Sequence, residues 1–181
     1  YGAEKDSFDP IVASGWRGAL PHGMASQKVI ESGEMVTLDF GCIYEGFCSD
    51  MTRTISVGKP KSDEMVKIYD VVLQSQLLAV NAARAGAITK DLDTISRDYI
   101  NSHGYEGKFG HGLGHGLGIE VHEMPGVSQR MDMTIPENVV FTIEPGIYIE
   151  GLGGVRIEDD VATKAGGCDV LNNSPKELII I

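Results

Sequence analysis

The 181 residues give one domain room for a sizeable core, and 42% apolar with 23% charged side chains is a globular balance that excludes a chain disordered throughout. Acids outnumber bases by 26 to 15, for a formal net charge of -11, which works against nucleic acid or an anionic membrane surface as partner and suits cations. Three cysteines, Cys42, Cys48 and Cys168, are odd in number and lack CxxC spacing, so reduced thiols in a cytoplasmic setting are expected, and no apolar run reaches membrane-spanning length.

The segment up to Pro21 is punctuated by Gly and Pro around a lone Trp16 and reads as loop and short strand. From Val36 the runs VTLDFG and IYEGFCSDMTRTISVG have strand composition, with Gly41 and Gly46 marking a turn or bulge between them, and they predict a hairpin. Ser62 with Asp63 and Glu64 is a helix-starting signature. Val66, Tyr69, Val72, Leu73, Gln76, Leu77 and Val80 then recur at helical spacing as far as Gly86, which predicts a core-packing helix. A second helix starts at Thr89, with Asp91 and Asp93 behind it, turns Leu92, Ile95, Tyr99 and Ile100 inward, and stops at Gly104. His103 is a helix-end residue. After a glycine-histidine run come a polar loop from Pro125 to Arg130 and Pro136, then a second strand pair in FTIEPGIYIEG and GGVRIEDDVAT.

The two strand pairs read as copies of one unit. VTLDFGCIYEGF (residues 36–47) aligns without a gap on FTIEPGIYIEGL (residues 141–152), matching at Thr37/Thr142, Gly41/Gly146, Glu45/Glu150 and Gly46/Gly151, with Asp39 and Glu144 at equivalent places. Each pair has a further acid on its second strand, Asp50 in CSDMTR and Glu158 in RIEDD. The acids are 11 residues apart in the first copy and 14 in the second, so the second is expected to have the longer turn.

Residues 110–123 read GHGLGHGLGIEVHE and hold three of the five histidines. Each glycine costs about 1 kcal/mol in a helix relative to alanine, so an extended chain is expected, with His111, Leu113, His115 and Leu117 on one face and glycines on the other. Four residues of strand span roughly 13 Å, too far for His111 and His115 to chelate one ion, which leaves one of them as a metal ligand. The glycine face admits another backbone or a substrate. No Lys-Ser or Lys-Thr follows the glycines, which weighs against a phosphate loop. If the copies pack about a pseudo-twofold axis, Asp39, Asp50, Glu144 and Glu158 converge. Four gathered carboxylates repel unless neutralised, and two divalent cations supply the balancing charge. One imidazole completes an oxygen-rich set that suits Mn(II), Co(II) or Fe(II) better than a structural zinc.

The strings LDFG, SDMTRT, GHGLGHGLGIEVHE, IEPG and RIEDD, in that order, resemble the pita-bread dinuclear metallopeptidases: prolidase (Xaa-Pro dipeptidase), aminopeptidase P and methionine aminopeptidase. The resemblance covers nearly the whole chain. It implies an α+β pita-bread fold, with pseudo-twofold related antiparallel strand pairs covered by helices. Residues 1–181 are then one catalytic domain, N-terminally truncated, since the family's N-terminal domain and first helix are missing ahead of SFDPIVASG. It implies Asp39, Asp50, His115, Glu144 and Glu158 as ligands of two divalent ions, Mn(II) or Co(II) ahead of Fe(II) or Zn(II), with Asp50 and Glu158 bridging. His111 and His122 match the family's two active-site histidines that are not ligands. His22, in LPHG, matches the histidine near the substrate, and also reads as an ordinary loop residue. Arg156 resembles the arginine that prolidases and aminopeptidase P keep beside the site, and also reads as a partner of Glu150 or Asp159. Glu123 reads as a buttress for a histidine, and Asp159 and Asp160 as residues behind the ligands or in solvent.

The activity implied is metal-dependent exopeptidase cleavage of the Xaa-Pro bond in dipeptides or short peptides by a hydroxide bridging the two ions. In that scheme Glu144 shuttles a proton and His122 donates a hydrogen bond to the carbonyl oxygen. The expected partners are a small peptide with proline second and, for the full-length protein, a second copy in a homodimer. LPHG, SDMTRT and VRIEDD look more like the Xaa-Pro branch than methionine aminopeptidase, which stays as the alternative beside a non-catalytic pita-bread binding module.

Overall fold

Glycine and acid punctuation divides the chain into short strands, and the computed structural model, which describes residues 2–181, pairs all of them antiparallel and lays two helices over them. This is the α+β pita-bread arrangement expected. The first long hairpin is built from β3 (Met35–Phe40), β4 (Cys42–Tyr44), β5 (Phe47–Cys48) and β6 (Met51–Ser56). A single register runs along it, with Asp39 opposite Thr52 and Ile43 opposite Cys48. Its tip is the Glu45-Gly46 turn, both residues at positive φ (50° and 79°), where glycine is at no steric disadvantage. Ahead of it, β1 (Lys5–Asp6) pairs with β4, and β2 (Ile11–Ser14) with β3. A 3-10 turn (Gly15–Ala19) follows β2.

The second long hairpin comprises β9 (Val140–Ile143), β10 (Gly146–Ile149), β11 (Gly153–Arg156) and β12 (Asp159–Lys164). Again one register runs through, from Thr142 opposite Asp160 to Gly146 opposite Arg156, which sets Glu144 opposite Glu158. The duplication read from sequence is therefore one of backbone, with a difference in detail. Asp39 and its partner Thr52 are 13 residues apart, whereas Glu144 and Glu158 are 14 apart, so the second turn is longer by one residue only. The rest of the expected difference comes from the acid's place on the strand. Thr52 is the counterpart of Glu158, and Asp50, two residues earlier, is the counterpart of Arg156.

Strands β7 (Gly114–Gly116), β8 (Glu123–Val127) and β13 (Gly167–Val170) complete a five-stranded sheet in the order β13-β12-β9-β7-β8. β8 occupies the start of the stretch expected as a polar loop, because Gly114 and Gly116 let the neighbouring backbone close enough to pair. A Cβ on Gly114 would stand 1.8 Å from the Thr142 carbonyl oxygen, and one on Gly116 2.4 Å from that of Met124.

Helix α1 (Asp63–Ala82) starts where Ser62 accepts the Met65 N–H, and α2 (Thr89–Ser102) ends before His103. Both present a somewhat different stripe to the core than expected. On α1 the buried residues include Met65, Ile68, Tyr69, Val72, Gln76 and Ala79, with Val66, Leu73 and Val80 only partly buried beside them. On α2 they are Thr89, Leu92, Asp93, Ser96 and Ile100, while Ile95 is exposed. The reason is close helix-helix contact. Ser75 and Ser96 hydroxyls meet at 2.5 Å, so these two small residues take the point of contact and Ile95 is turned to the flank. Beneath the helices lie wholly buried Leu113, Ile135, Phe141, Ile143, Ile147 and Ile157. Each such side chain contributes roughly 1.5–3 kcal/mol by leaving water. Neither helix is long and apolar enough to cross a membrane.

Candidate metal centre and its cavity

The two hairpins bring their acids together because hydroxyls join them edge to edge. The Glu158 N–H donates to the Thr52 carbonyl at 3.1 Å. Thr54 Oγ1 accepts from Arg156 N (3.1 Å) and donates to Arg156 O (3.0 Å). The Asp50 N–H donates to Asp160 Oδ2 at 3.1 Å, and Asn172 Nδ2 donates to the Asp50 carbonyl at 3.2 Å. Behind this seam Arg53, buried, donates to the carbonyl of Glu158 (2.5 Å), to Asp159 Oδ1 (2.7 Å) and to the carbonyls of Ser174 and Pro175. Asp159 also receives Lys176 Nζ at 2.5 Å. Asp159 and Asp160 are thus both buried, not in solvent, and they brace Glu158 and Asp50 from behind.

Asp39 sits on β3, Asp50 just ahead of β6, Glu144 between β9 and β10, Glu158 between β11 and β12, and His115 in the middle of β7. One ligand atom from each of Asp50, His115 and Glu158 lies within 4.8 Å of the others. Asp39 and Glu144 fall outside that trio but line the same cavity. His115 Nε2 stands 3.3 Å from Glu144 Oε1 and 3.7 Å from Asp50 Oδ2. Its Nδ1 is 3.1 Å from the Gly116 carbonyl. A carbonyl can only accept, so the proton is assigned to Nδ1 and the Nε2 lone pair faces carboxylate oxygens.

Packed without a cation, these groups resist charge. Burial first, then Asp39 and Glu144, push Asp50 up to about 9. Burial also lifts Glu144 to about 7 against the pull of Arg156, and raises Glu158 well above the carboxylate range, with Glu144 and Asp50 adding to it. Asp39 Oδ1 and Asp50 Oδ1 are buried with no hydrogen-bond partner. Orphaned buried oxygens and an imidazole lone pair aimed at carboxylates are what a divalent cation satisfies. The oxygen-rich donor set fits hard or borderline ions.

The cavity, about 440 Å³, is walled by Phe8, Ile11, Pro21, Met24 and Val121, and His22, His111 and His122 also open onto it. The His122 ring packs edge-on to His115 at 4.3 Å between centroids. His111 Nδ1 lies 2.8 Å from the Gly112 carbonyl and Nε2 2.7 Å from the Tyr148 hydroxyl, so Nδ1 donates and Nε2 accepts. Burial, with the Arg156 charge behind it, brings His111 down to about 4 and keeps it neutral. Arg156 donates to Asp39 Oδ2 (2.6 Å), the Tyr148 hydroxyl (2.9 Å), the Pro21 carbonyl (3.1 Å) and Thr52 Oγ1 (3.0 Å). Neither Glu150 nor Asp159 is its partner. Glu123 buttresses no histidine: its carboxylate accepts the Glu120 N–H at 2.9 Å.

Thr52 and Tyr148 belong to the site and were not singled out from sequence. A parity signal existed for both. Thr52 follows Asp50 by two residues and Tyr148 follows Glu144 by four, spacings that share a face in extended chain. Arg53 and Asn172 left no such signal, since their partners lie on other elements.

A family model described as metallopeptidase family M24 matches residues 1–165. The chain is 50% identical over 178 residues to a Xaa-Pro dipeptidase of Pyrococcus horikoshii, covering 98% of this chain and 50% of that protein. The solved structure of a Xaa-Pro dipeptidase from Bacillus anthracis superposes with a TM-score of 0.97 at 55% identity, over 99% of this chain and 50% of that one. That of an X-Pro aminopeptidase from Thermotoga maritima does so at 0.97 and 51%, over 99% and 51%. The chain thus spans about half the length of the relatives it matches.

Proposed function

The chain belongs to metallopeptidase family M24, and from that premise we propose that it carries the catalytic centre of a metal-dependent exopeptidase cleaving the Xaa-Pro bond of dipeptides or short peptides. The observation that carries the reading is the convergence of Asp50, His115 and Glu158, beside the orphaned oxygens of Asp39 and Asp50, on the floor of a peptide-sized cavity. The names of the relatives point to the Xaa-Pro bond.

In this reading Asp39, Asp50, His115, Glu144 and Glu158 would hold two divalent ions, Mn(II) or Co(II) by preference. When bound, such ions polarise a scissile carbonyl and lower the pKa of water at the site. The remaining work falls to side chains. Glu144, on the cavity wall, carries a proton from the attacking water to the leaving nitrogen. His122 donates a hydrogen bond to the carbonyl oxygen as charge develops there. His111 and His22 line the substrate's side of the cavity. Arg156, through its bond to Asp39 Oδ2, orients that carboxylate.

The test is hydrolysis of Ala-Pro, Ala-Pro-Ala and Met-Ala-Ser by the protein supplied with Mn(II) or Co(II). Cleavage of one or both proline peptides ahead of Met-Ala-Ser is expected, and their ratio separates dipeptidase from aminopeptidase P. Preference for Met-Ala-Ser would move the assignment to methionine aminopeptidase, and bound metal without hydrolysis to a binding module.

A further inference from the structure

His111 reaches the cavity from a segment with little shape of its own. Residues 109–113 (FGHGL) form no strand and contain two glycines. What holds them is on α2. Asp93, wholly buried, accepts the Leu113 N–H at 3.0 Å. Arg97, one turn further on, grips both oxygens of Asp93 (2.8 and 3.0 Å). It also donates to the carbonyls of Phe109 (2.6 Å) and His111 (2.7 Å). Gln129 Nε2 donates to Asp93 Oδ1 at 2.7 Å, and the Arg97 guanidinium lies 4.3 Å from the Phe109 ring centroid. One ion pair therefore fixes three backbone groups within five residues. A planar five-donor guanidinium can do this, and the single nitrogen of lysine cannot.

On the far side of the same segment is a second cavity of about 460 Å³, which Arg97, Phe109, Ser128 and Arg130 line and which shares His111 and Gly112 with the first. The segment that carries His111 therefore lines both cavities.

We propose that Asp93 and Arg97 are positioning residues for His111, holding its ring against Tyr148 and beside Glu144, and that they act through this histidine and not through the bound cations. The kinetic part of the test rests on the peptidase reading. The spectroscopic part does not.

Arg97→Lys retains the charge beside Asp93 and spares the fold, but it cannot serve two carbonyls and two carboxylate oxygens together. It is expected to lower kcat/KM by about 100-fold, the scale of an ångström's misplacement, with bound metal unchanged. In a His111→Ala background the same substitution should cost less than about 3-fold, since coupled residues do not add. Because Arg97 opens onto the second cavity, millimolar guanidinium should restore part of the activity of Arg97→Ala. The ring nitrogen resonances of His111, assigned by their loss in His111→Ala, should shift in Arg97→Lys while those of His115 stay in place. Full additivity with His111→Ala, an unchanged kcat/KM in Arg97→Lys, or unmoved His111 resonances would each overturn the proposal. If the unsubstituted protein hydrolyses no peptide, the peptidase reading fails and the resonances alone decide this one.

Discussion

Thr52 is the smallest group on which the two hairpins depend, and replacing it measures the seam. Its hydroxyl, wholly buried, donates to Glu158 Oε2 at 2.5 Å and accepts from Arg156 Nε at 3.0 Å. Thr52→Val keeps the branched shape, so no cavity opens, but both bonds go and a guanidinium N–H and a carboxylate oxygen are left facing a methyl group. The bond from the Arg156 guanidinium is worth about 1.5–3 kcal/mol and the bond to Glu158, which resists ionisation without a cation, about 0.5–1.5 kcal/mol, so a loss of roughly 2–4.5 kcal/mol is expected in the metal-free protein. Thr52→Ser is the control. It keeps the hydroxyl and deletes one buried methyl, at about 1 kcal/mol. Urea denaturation gives both numbers from the midpoint, provided the slope is unchanged. If valine costs no more than serine, the hydroxyl does not join the hairpins and the account of the seam is wrong.

Removing divalent metal should make stability depend steeply on pH. Glu144 at about 7 and Asp50 at about 9 are raised in the folded state, so their contribution is complete below the unfolded carboxylate range near pH 4. It is lost as pH rises through the folded values. The melting temperature of chelated protein should fall across that window and that of Mn(II)-loaded protein should not; parallel curves would refute the charge cluster. Asp50→Ala or His115→Ala should abolish metal binding and hydrolysis together, whereas His122→Ala should lower turnover with metal retained, as metal analysis beside the peptide assay will show. Gly110→Ala meets open space and should shift the midpoint little. Gly114→Ala puts a Cβ 1.8 Å from a carbonyl oxygen and should prevent β7 from pairing, visible as loss of cooperative unfolding.

The acids of the centre were legible because chemistry demanded them in number. Asp39, Asp50, Glu144 and Glu158 stand on two strand pairs of matching sequence, which foretold their gathering in one cavity, and the glycine spacing of residues 110–118 announced close backbone contact. The hairpins were legible for the same local reasons. The inward stripe of α2 was not, because periodicity favoured Ile95 where tight packing selected Ser96 and Asp93. Nor were the residues that brace the site. Arg53 and Asn172 look like surface polar residues until the partners more than 100 positions away are in place, and no window of sequence contains both ends of such a bond.

That separation bears on folding kinetics. Thr52 to Glu158, Asp39 to Arg156 and Asp50 to Asp160 are links across 106, 117 and 110 residues. Contacts of such high order close slowly and late, after the loop entropy between them has been overcome. If the carboxylates meet only after the rate-limiting step, a cation that joins them has little to grip in the transition state. The outcome expected from stopped-flow folding with and without Mn(II) is then a slower unfolding rate beside an unchanged folding rate, so that metal would keep the molecule folded for longer without helping it to fold sooner.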